Sequence, residues 1–433
     1  MAYDANAQKT VLFYSDGDGS SFSPTSRVIN VSGTDDVTFG GEQVVQNINI
    51  GNNGLDLCYI PWRNSLQACY RAGGSGMNLK RGIISGDSIT WDNQSAMTSA
   101  TFPNSQYHRI AANTTEENFA VAYMDSSNHT RVYLFGQAAN GSLSTYGHTT
   151  IYASNSGWQC ICYNSVANLF LVAFNDTANY YIRTCWVSSA SNNVTAGSAA
   201  VIHNQVSYYA ECCYDAASDS AVVMYLDSTD VQIKCKFTTT VDAANKSATW
   251  SDEILVTSGS DSWDGSKLNA ITYDPYSKKV VFMMRNVTTD KAYVRSGRIM
   301  GSGVSKTITL DPLVEVVSGS SDQTYVALAS DPSLERVITS YSNGSGDPSY
   351  VKTFSPSQTN LNADTYLGFA NNTVTNGQTV KVNTASNIST QSGLTTATKY
   401  YVQDDGTVGS TASVPSVMAG ISLSSTQLLI KSA

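Results

Sequence analysis

Charge is scarce in this chain: Asp, Glu, Lys and Arg make up 14% of its 433 residues, with 25 basic residues against 34 acidic ones. A net charge of −9 without a basic stripe argues against a nucleic-acid binder. The four histidines, His108, His129, His148 and His203, fall into no triad or metal-ligand spacing. Arginine is sparse and scattered. The eight cysteines include the close pairs Cys160/Cys162 and Cys212/Cys213, but no CxxC or His-spaced set accompanies them. A Gly-rich phosphate loop is missing too, so no metal and no cofactor is expected. No apolar run approaches the roughly 18–20 residues that cross a bilayer. The opening Met1-Ala2-Tyr3-Asp4-Ala5-Asn6 carries no basic and apolar leader. These absences predict a soluble protein made in the cytoplasm, without membrane insertion. Sequons such as Asn286-Val287-Thr288 then read as by-products of an Asn/Ser/Thr-rich composition.

What is present is a hydrophobic content of 41% set among many Ser, Thr, Asn and Gly residues. That mix builds a core from short strands joined by polar turns, and suits long helices poorly. A strand–turn–strand signature recurs seven times without gaps. Ile271–Asn286 overlays Ala2–Asp16, Cys58–Ala72, Ala111–Asp125, Cys162–Asp176, Cys213–Asp227 and Ala329–Asn343. Its turn opens with Asp4, Ile60, Asn113, Asn164, Asp215, Asp274 and Asp331, six of them Asx side chains that close turns on their own backbone. The second strand carries Tyr14, Tyr70, Tyr123, Phe174, Tyr225, Met284 and Tyr341, a column placed to pack between sheets. A third strand follows, and a fourth is marked by Thr38-Phe39, Thr90-Trp91, Thr145-Tyr146, Thr249-Trp250 and, more weakly, Thr195-Ala196 and Thr309-Leu310.

Four antiparallel strands in about 50–60 residues is the period of a propeller blade. The expectation is an all-β, seven-bladed β-propeller, with six blades as the alternative, over residues 1–356. A small C-terminal β module over 357–433 follows, unless its first residues complete the last blade. Ala2, Cys58, Ala111, Cys162, Cys213, Thr272 and Ala329 share one small column, as innermost strands near an axis require. The cysteines in it read as buried thiols acting as compact apolar residues.

Two motifs carry weaker chemistry. Asp16-Gly17-Asp18-Gly19-Ser20-Ser21 spaces carboxylates like some calcium loops but lacks a bidentate Glu, and reads as a solvated turn. Ser85-Gly86-Asp87-Ser88-Ile89-Thr90-Trp91 partly resembles the Asp-box of sialidase propellers, without the box glycine or a cluster of arginines. The better candidates are the aromatics just before the innermost strands, Tyr107, Trp158, Tyr208 and Trp263. In a propeller those connections surround one mouth of the channel, where exposed rings can stack on sugar faces. They are the expected ligand-binding residues, and no catalytic residues are expected.

Gln391-Ser392-Gly393-Leu394, Lys399-Tyr400-Tyr401-Val402-Gln403-Asp404-Asp405-Gly406-Thr407 and Ser416-Val417-Met418-Ala419-Gly420 resemble the C-terminal module of tail-fibre and related virion proteins from marine bacteriophages. The YDP turns and VV-x-x-Y-x-D strands resemble the repeats that precede it there. This resemblance implies a virion structural or adsorption protein that binds a host-surface glycan or protein, or a neighbouring virion protein. By analogy with fibres it also implies a homotrimer. The expectation at this point is a protein that binds and does not catalyse. The alternative is a propeller glycan hydrolase acting on host polysaccharide, which needs a carboxyl pair and arginines at one mouth. A cellular surface lectin is a third class and would need an export route.

Overall fold

Each repeat is organised by its first turn. In the computed structural model of the chain, Asp4 Oδ1 accepts the backbone N–H groups of Asn6 and Ala7, each at 2.9 Å. Asn113, Asn164 and Asp215 do the same for the residues two and three positions on. Each turn then ends on a left-handed residue before the second strand begins. Gln8, Asn64, Glu117, Asn168, Asp219, Lys278 and Glu335 occupy that one repeat position, with φ between 46° and 56°. The second repeat has Ile60 in place of the Asx. There Pro61 starts a short 3-10 turn, Pro61–Arg63, and Asn64 closes it.

The structure describes residues 1–17, 22–32, 36–50, 54–71, 76–92, 96–97, 106–257, 262–263, 270–289, 291–316, 323–343, 350–356, 368–371, 379–402, 407–411 and 417–431. The chain divides into two compact units, Met1–Pro356 and Ser357–Ala433. Among the described residues no helix is long and apolar enough to cross a membrane.

The described residues of the first unit form seven antiparallel sheets, each running from an inner strand outward in sequence order. The inner strands are Ala2–Asp4, Leu55–Ile60, Gln106–Asn113, Ser156–Asn164, Ser207–Asp215, Ala270–Asp274 and Gln323–Asp331. Each contacts the next in order, and the seventh contacts the first, so the contacts form a closed cycle. The fourth strand is usually broken into two short pieces that pair with the same third strand, such as Thr195–Ala196 and Ala200–His203 on Tyr181–Ser188. In the third sheet it stays whole as Leu143–Tyr152, absorbing a register shift where Gly147 adopts φ 121°. Three strands of the seventh sheet are described. The first residues of 357–433 that would complete this blade, 357–367, lie outside the described residues, as do Asp18–Ser21 of the carboxylate-rich loop.

The core lies between sheets. The second-strand column is buried in succession: Tyr70, Tyr123, Phe174, Tyr225, Met284 and Tyr341 each sit in an apolar cluster shared with the preceding sheet. Leu12 and Ile29 of the first sheet meet Ile338 of the seventh and complete the cycle. At the far end of the second strand the other Asx column anchors the outer hairpins. Asp125, Asp176 and Asp227 pair with Arg131, Arg183 and Lys234 of the third strands. Asn286, the sequon residue, is buried and accepts the N–H groups of Thr288 and Thr289, which removes it as a glycan site.

The second unit centres on a five-stranded sheet of Ile388–Thr390, Gln427–Ile430, Met418–Ser422, Lys399–Val402 and Val408–Gly409, in that order. Its core is Leu394, Tyr400, Val402, Val417, Ala419 and Leu428. At Gly420 an added Cβ would fall 2.0 Å from the Leu429 carbonyl oxygen, so the Ala-Gly of the motif is imposed by close strand approach.

Candidate functional site

The inner strands are bulged where they enter the ring. Register shifts fall between Gln106 and Arg109, Gly157 and Cys160, and Tyr208 and Glu211. A bulge inserts one residue and re-aims its side chain. The inserted position is one repeat position, held by Tyr107, Trp158 and Tyr209 in sheets three to five; in the second sheet Gly54 holds that repeat position just ahead of an inner strand that pairs without a register shift. Gly54 has φ 78°, Trp158 φ 46° and Tyr209 φ 55°. Glycine adopts this conformation freely, whereas a bulky side chain in it is strained.

The rings meet at one place. Trp158 lies edge-on to Tyr209 at 4.8 Å between centroids and to Tyr208 at 6.1 Å. Tyr180, from the turn of the fourth sheet and 38% exposed, lies edge-on to Tyr208 at 5.2 Å. Trp158, Tyr208 and Tyr209 are half-buried, as rings at the rim of an opening are. Of the aromatics expected from sequence, Trp158 and Tyr208 are therefore brought together, while the Tyr107 side chain lies outside the described residues. Trp263 is corrected: it is only 2% exposed, inside the core between sheets five and six and edge-on to Tyr293. A large apolar ring ahead of an inner strand serves rim and core equally well in sequence. Tyr180 and Tyr209 were missed, although the 51-residue pitch from Trp158 points to Tyr209 directly.

Two residues beyond the bulge is a second layer: Asp56, Arg109, Cys160, Glu211, Ala270 and Ala327 all hold the same repeat position. Arg109 Nη2 donates to Glu211 Oε1 at 3.2 Å, joining the third sheet to the fifth past Cys160 of the fourth. The two side chains keep 30% and 27% exposure. Burial raises the Glu211 carboxyl above its ordinary value, with Arg109 opposing. Burial also works against the Arg109 charge, but Glu211 and Asp56 outweigh it and hold the guanidinium above its usual range. Asp56 Oδ2 accepts the Ile110 N–H at 3.0 Å. His108, fully buried beside this layer, contacts the Gly54 carbonyl through Nδ1 and is pushed down to about 4 by burial, so it is neutral.

All eight cysteines are free thiols. Burial pushes Cys185 and Cys235 up to about 12, so neither is a thiolate at neutral pH. The arrangement thus offers aromatic faces at a rim, with one cation and two carboxylates below. A polyhydroxylated ligand could stack on the first and hydrogen-bond to the second.

No protein-family model matches the chain, and no curated protein matches it in sequence. Solved structures do resemble it. A protein from Lactobacillus plantarum aligns at a TM-score of 0.53 and 12% identity, over 79% of this chain and 90% of that one. The Pseudomonas aeruginosa periplasmic gluconolactonase aligns at 0.53 and 10%, over 80% and 95%. A candidate 6-phosphogluconolactonase of Bacteroides uniformis aligns at 0.50 and 10%, over 79% and 94%. At such identities the likeness is one of fold, and the fold is a β-propeller. It corrects the expectation that this chain binds and does not catalyse: lactonases are among its structural neighbours, so the architecture admits a hydrolase.

Proposed function

We propose that the chain is a bacteriophage virion surface protein of the tail-fibre or adsorption type. Its propeller takes a host-surface glycan at the channel mouth between the fourth and fifth sheets. The virion assignment rests on the sequence motifs of the C-terminal module. The ligand assignment is carried by one observation: Trp158 and Tyr209 sit left-handed in bulges at a repeat position where the second repeat has Gly54, and their rings converge there with Tyr208. Strain of this kind, on the order of 1–3 kcal/mol per residue, collects at binding sites because the ring placement is what is being maintained.

The test is binding of the purified chain to host cells and to a glycan array, with Trp158→Ala and Tyr208→Ala alongside. Each variant is expected to weaken retention at least tenfold while leaving the circular dichroism unchanged. Retention untouched by both changes, or no retention by the wild-type chain, would overturn the reading. Reducing ends released from the same polysaccharide would report hydrolysis independently of binding.

A further inference from the structure

A second polar cluster lies at the outer junction of the fourth and fifth sheets. His203 ends the outer strand piece Ala200–His203 of the fourth sheet. Facing it from the fifth are Tyr225 and Asp227 of Ser220–Asp227, Lys234 of Gln232–Asp242, and Asp230 and Glu253 from the connecting turns. His203 Nδ1 is 2.7 Å from Glu253 Oε2, which also accepts the Tyr225 hydroxyl at 2.9 Å. Lys234 Nζ lies 2.7 Å from Asp227 Oδ2, 2.8 Å from Asp230 Oδ2 and 3.0 Å from Glu253 Oε1.

The remaining ring nitrogen is the informative atom. The His203 side chain is 7% exposed, and its Nε2 is buried without a hydrogen-bond partner. A neutral imidazole with its proton on Nδ1, directed at Glu253, presents a bare Nε2 lone pair to Asp227 Oδ2, 3.4 Å away. Two lone pairs facing each other in a buried site call for a cation between them. Three carboxylates around a single ammonium leave the cluster two negative charges in excess. Bonds of about 2.1 Å to a tetrahedral ion place neighbouring donor atoms roughly 3.4 Å apart, which is the separation found. The contact from Glu253 to the opposite nitrogen is the support that metal-bound imidazoles receive from a carboxylate behind them.

We propose that His203 Nε2 and Asp227 Oδ2 are ligands of a divalent cation of the zinc class, with Glu253 orienting the imidazole. The mixed nitrogen and oxygen donors suit zinc, cobalt or manganese better than calcium or magnesium. An ion here ties the outer strand of one sheet to the hairpin turn of the next. Asp227 keeps its turn through Oδ1, which accepts the Thr229 N–H, while Oδ2 is shared between the metal and the Lys234 ammonium 2.7 Å away.

Cobalt(II) titrated into the full-length chain is the probe. One ion per chain is expected, with visible ligand-field absorption, no thiolate charge-transfer band, and a rise in melting temperature. His203→Gln and Asp227→Asn should each weaken binding tenfold or more, the Asn keeping the Thr229 contact and hence the fold. Failure of the wild-type chain to bind, a thiolate band on binding, or wild-type affinity in either variant would overturn the assignment.

Discussion

A left-handed backbone is nearly free for Gly54 and costly for Trp158 and Tyr209, which hold the same place in neighbouring repeats. This inverts the usual effect of substitution. Trp158→Ala removes the ring and keeps the strain, whereas Trp158→Gly removes both. The Gly variant should therefore be the more stable of the two by about 1 kcal/mol, read from denaturant midpoints, and both should lose the ligand. An Ala variant as stable as the Gly variant would mean that the bulge carries no strain. His108 supplies a second test at this scale. It is fully buried and titrates near 4, below the ordinary 6.5 for histidine, because burial disfavours its charged form. The unfolded chain therefore takes up a proton that the folded chain refuses. This contribution to stability is intact above pH 6.5 and is lost as pH falls towards 4. Between pH 7 and pH 5 the loss is about 2 kcal/mol. In His108→Asn that part of the pH slope should disappear.

At the scale of the element, the seven turns share a left-handed closing residue, yet only Asn64, Asn168 and Asp219 are of the Asx type that tolerates it best. Gln8 and Lys278 occupy it exposed to solvent. Gln8→Asn and Lys278→Asn should each raise stability by about 0.5 kcal/mol. They lie in the first and sixth repeats and share no partner, so the double variant should show the sum. These turns were legible in the sequence because an Asx side chain closing on its own backbone is a local event, repeated at a fixed spacing. The aromatic column was legible for the same reason, since every copy packs against the sheet before it. The bulges were not: one inserted residue shifts the register of pairing without altering the composition of the strand. For that reason adjacency to the strand singles out Tyr208, and only the 51-residue offset from Trp158 marks Tyr209 as the residue in the strained position. The cluster around His203 could not be read from sequence either. Its members come from five segments of two repeats, and no spacing links His203 to Asp227 or Glu253 before the sheets are packed.

At the scale of the molecule, the cycle of sheets has one seam unlike the others. Neighbouring sheets elsewhere share apolar clusters such as that of Cys160, Cys162, Leu171, Ala173, Trp186 and Tyr225. The first and seventh sheets meet through Leu12, Ile29 and Ile338, with Tyr14, Val31, Val37, Leu334 and Val351 only partly buried around them. A buried hydrogen bond from Thr10 Oγ1 to Asp331 Oδ2, 3.0 Å long, adds to the closure. Among the described residues no strand passes from one of these sheets into the other, and the contacts described between them are made by side chains. Burial of apolar area is the main favourable term in such a contact, and among the described residues this junction has the smallest cluster of buried apolar side chains. Opening should therefore begin here, and substitution should act locally. Ile338→Ala, a fully buried large-to-small change, should cost about 2–4 kcal/mol at this junction. In hydrogen exchange, amides of Val11–Phe13 and Val337–Tyr341 should lose protection, while those of Phe170–Phe174 and Val222–Tyr225 keep theirs. Equal loss in all four segments would show instead that the ring unfolds as one cooperative unit, with closure as strong at this junction as at any other.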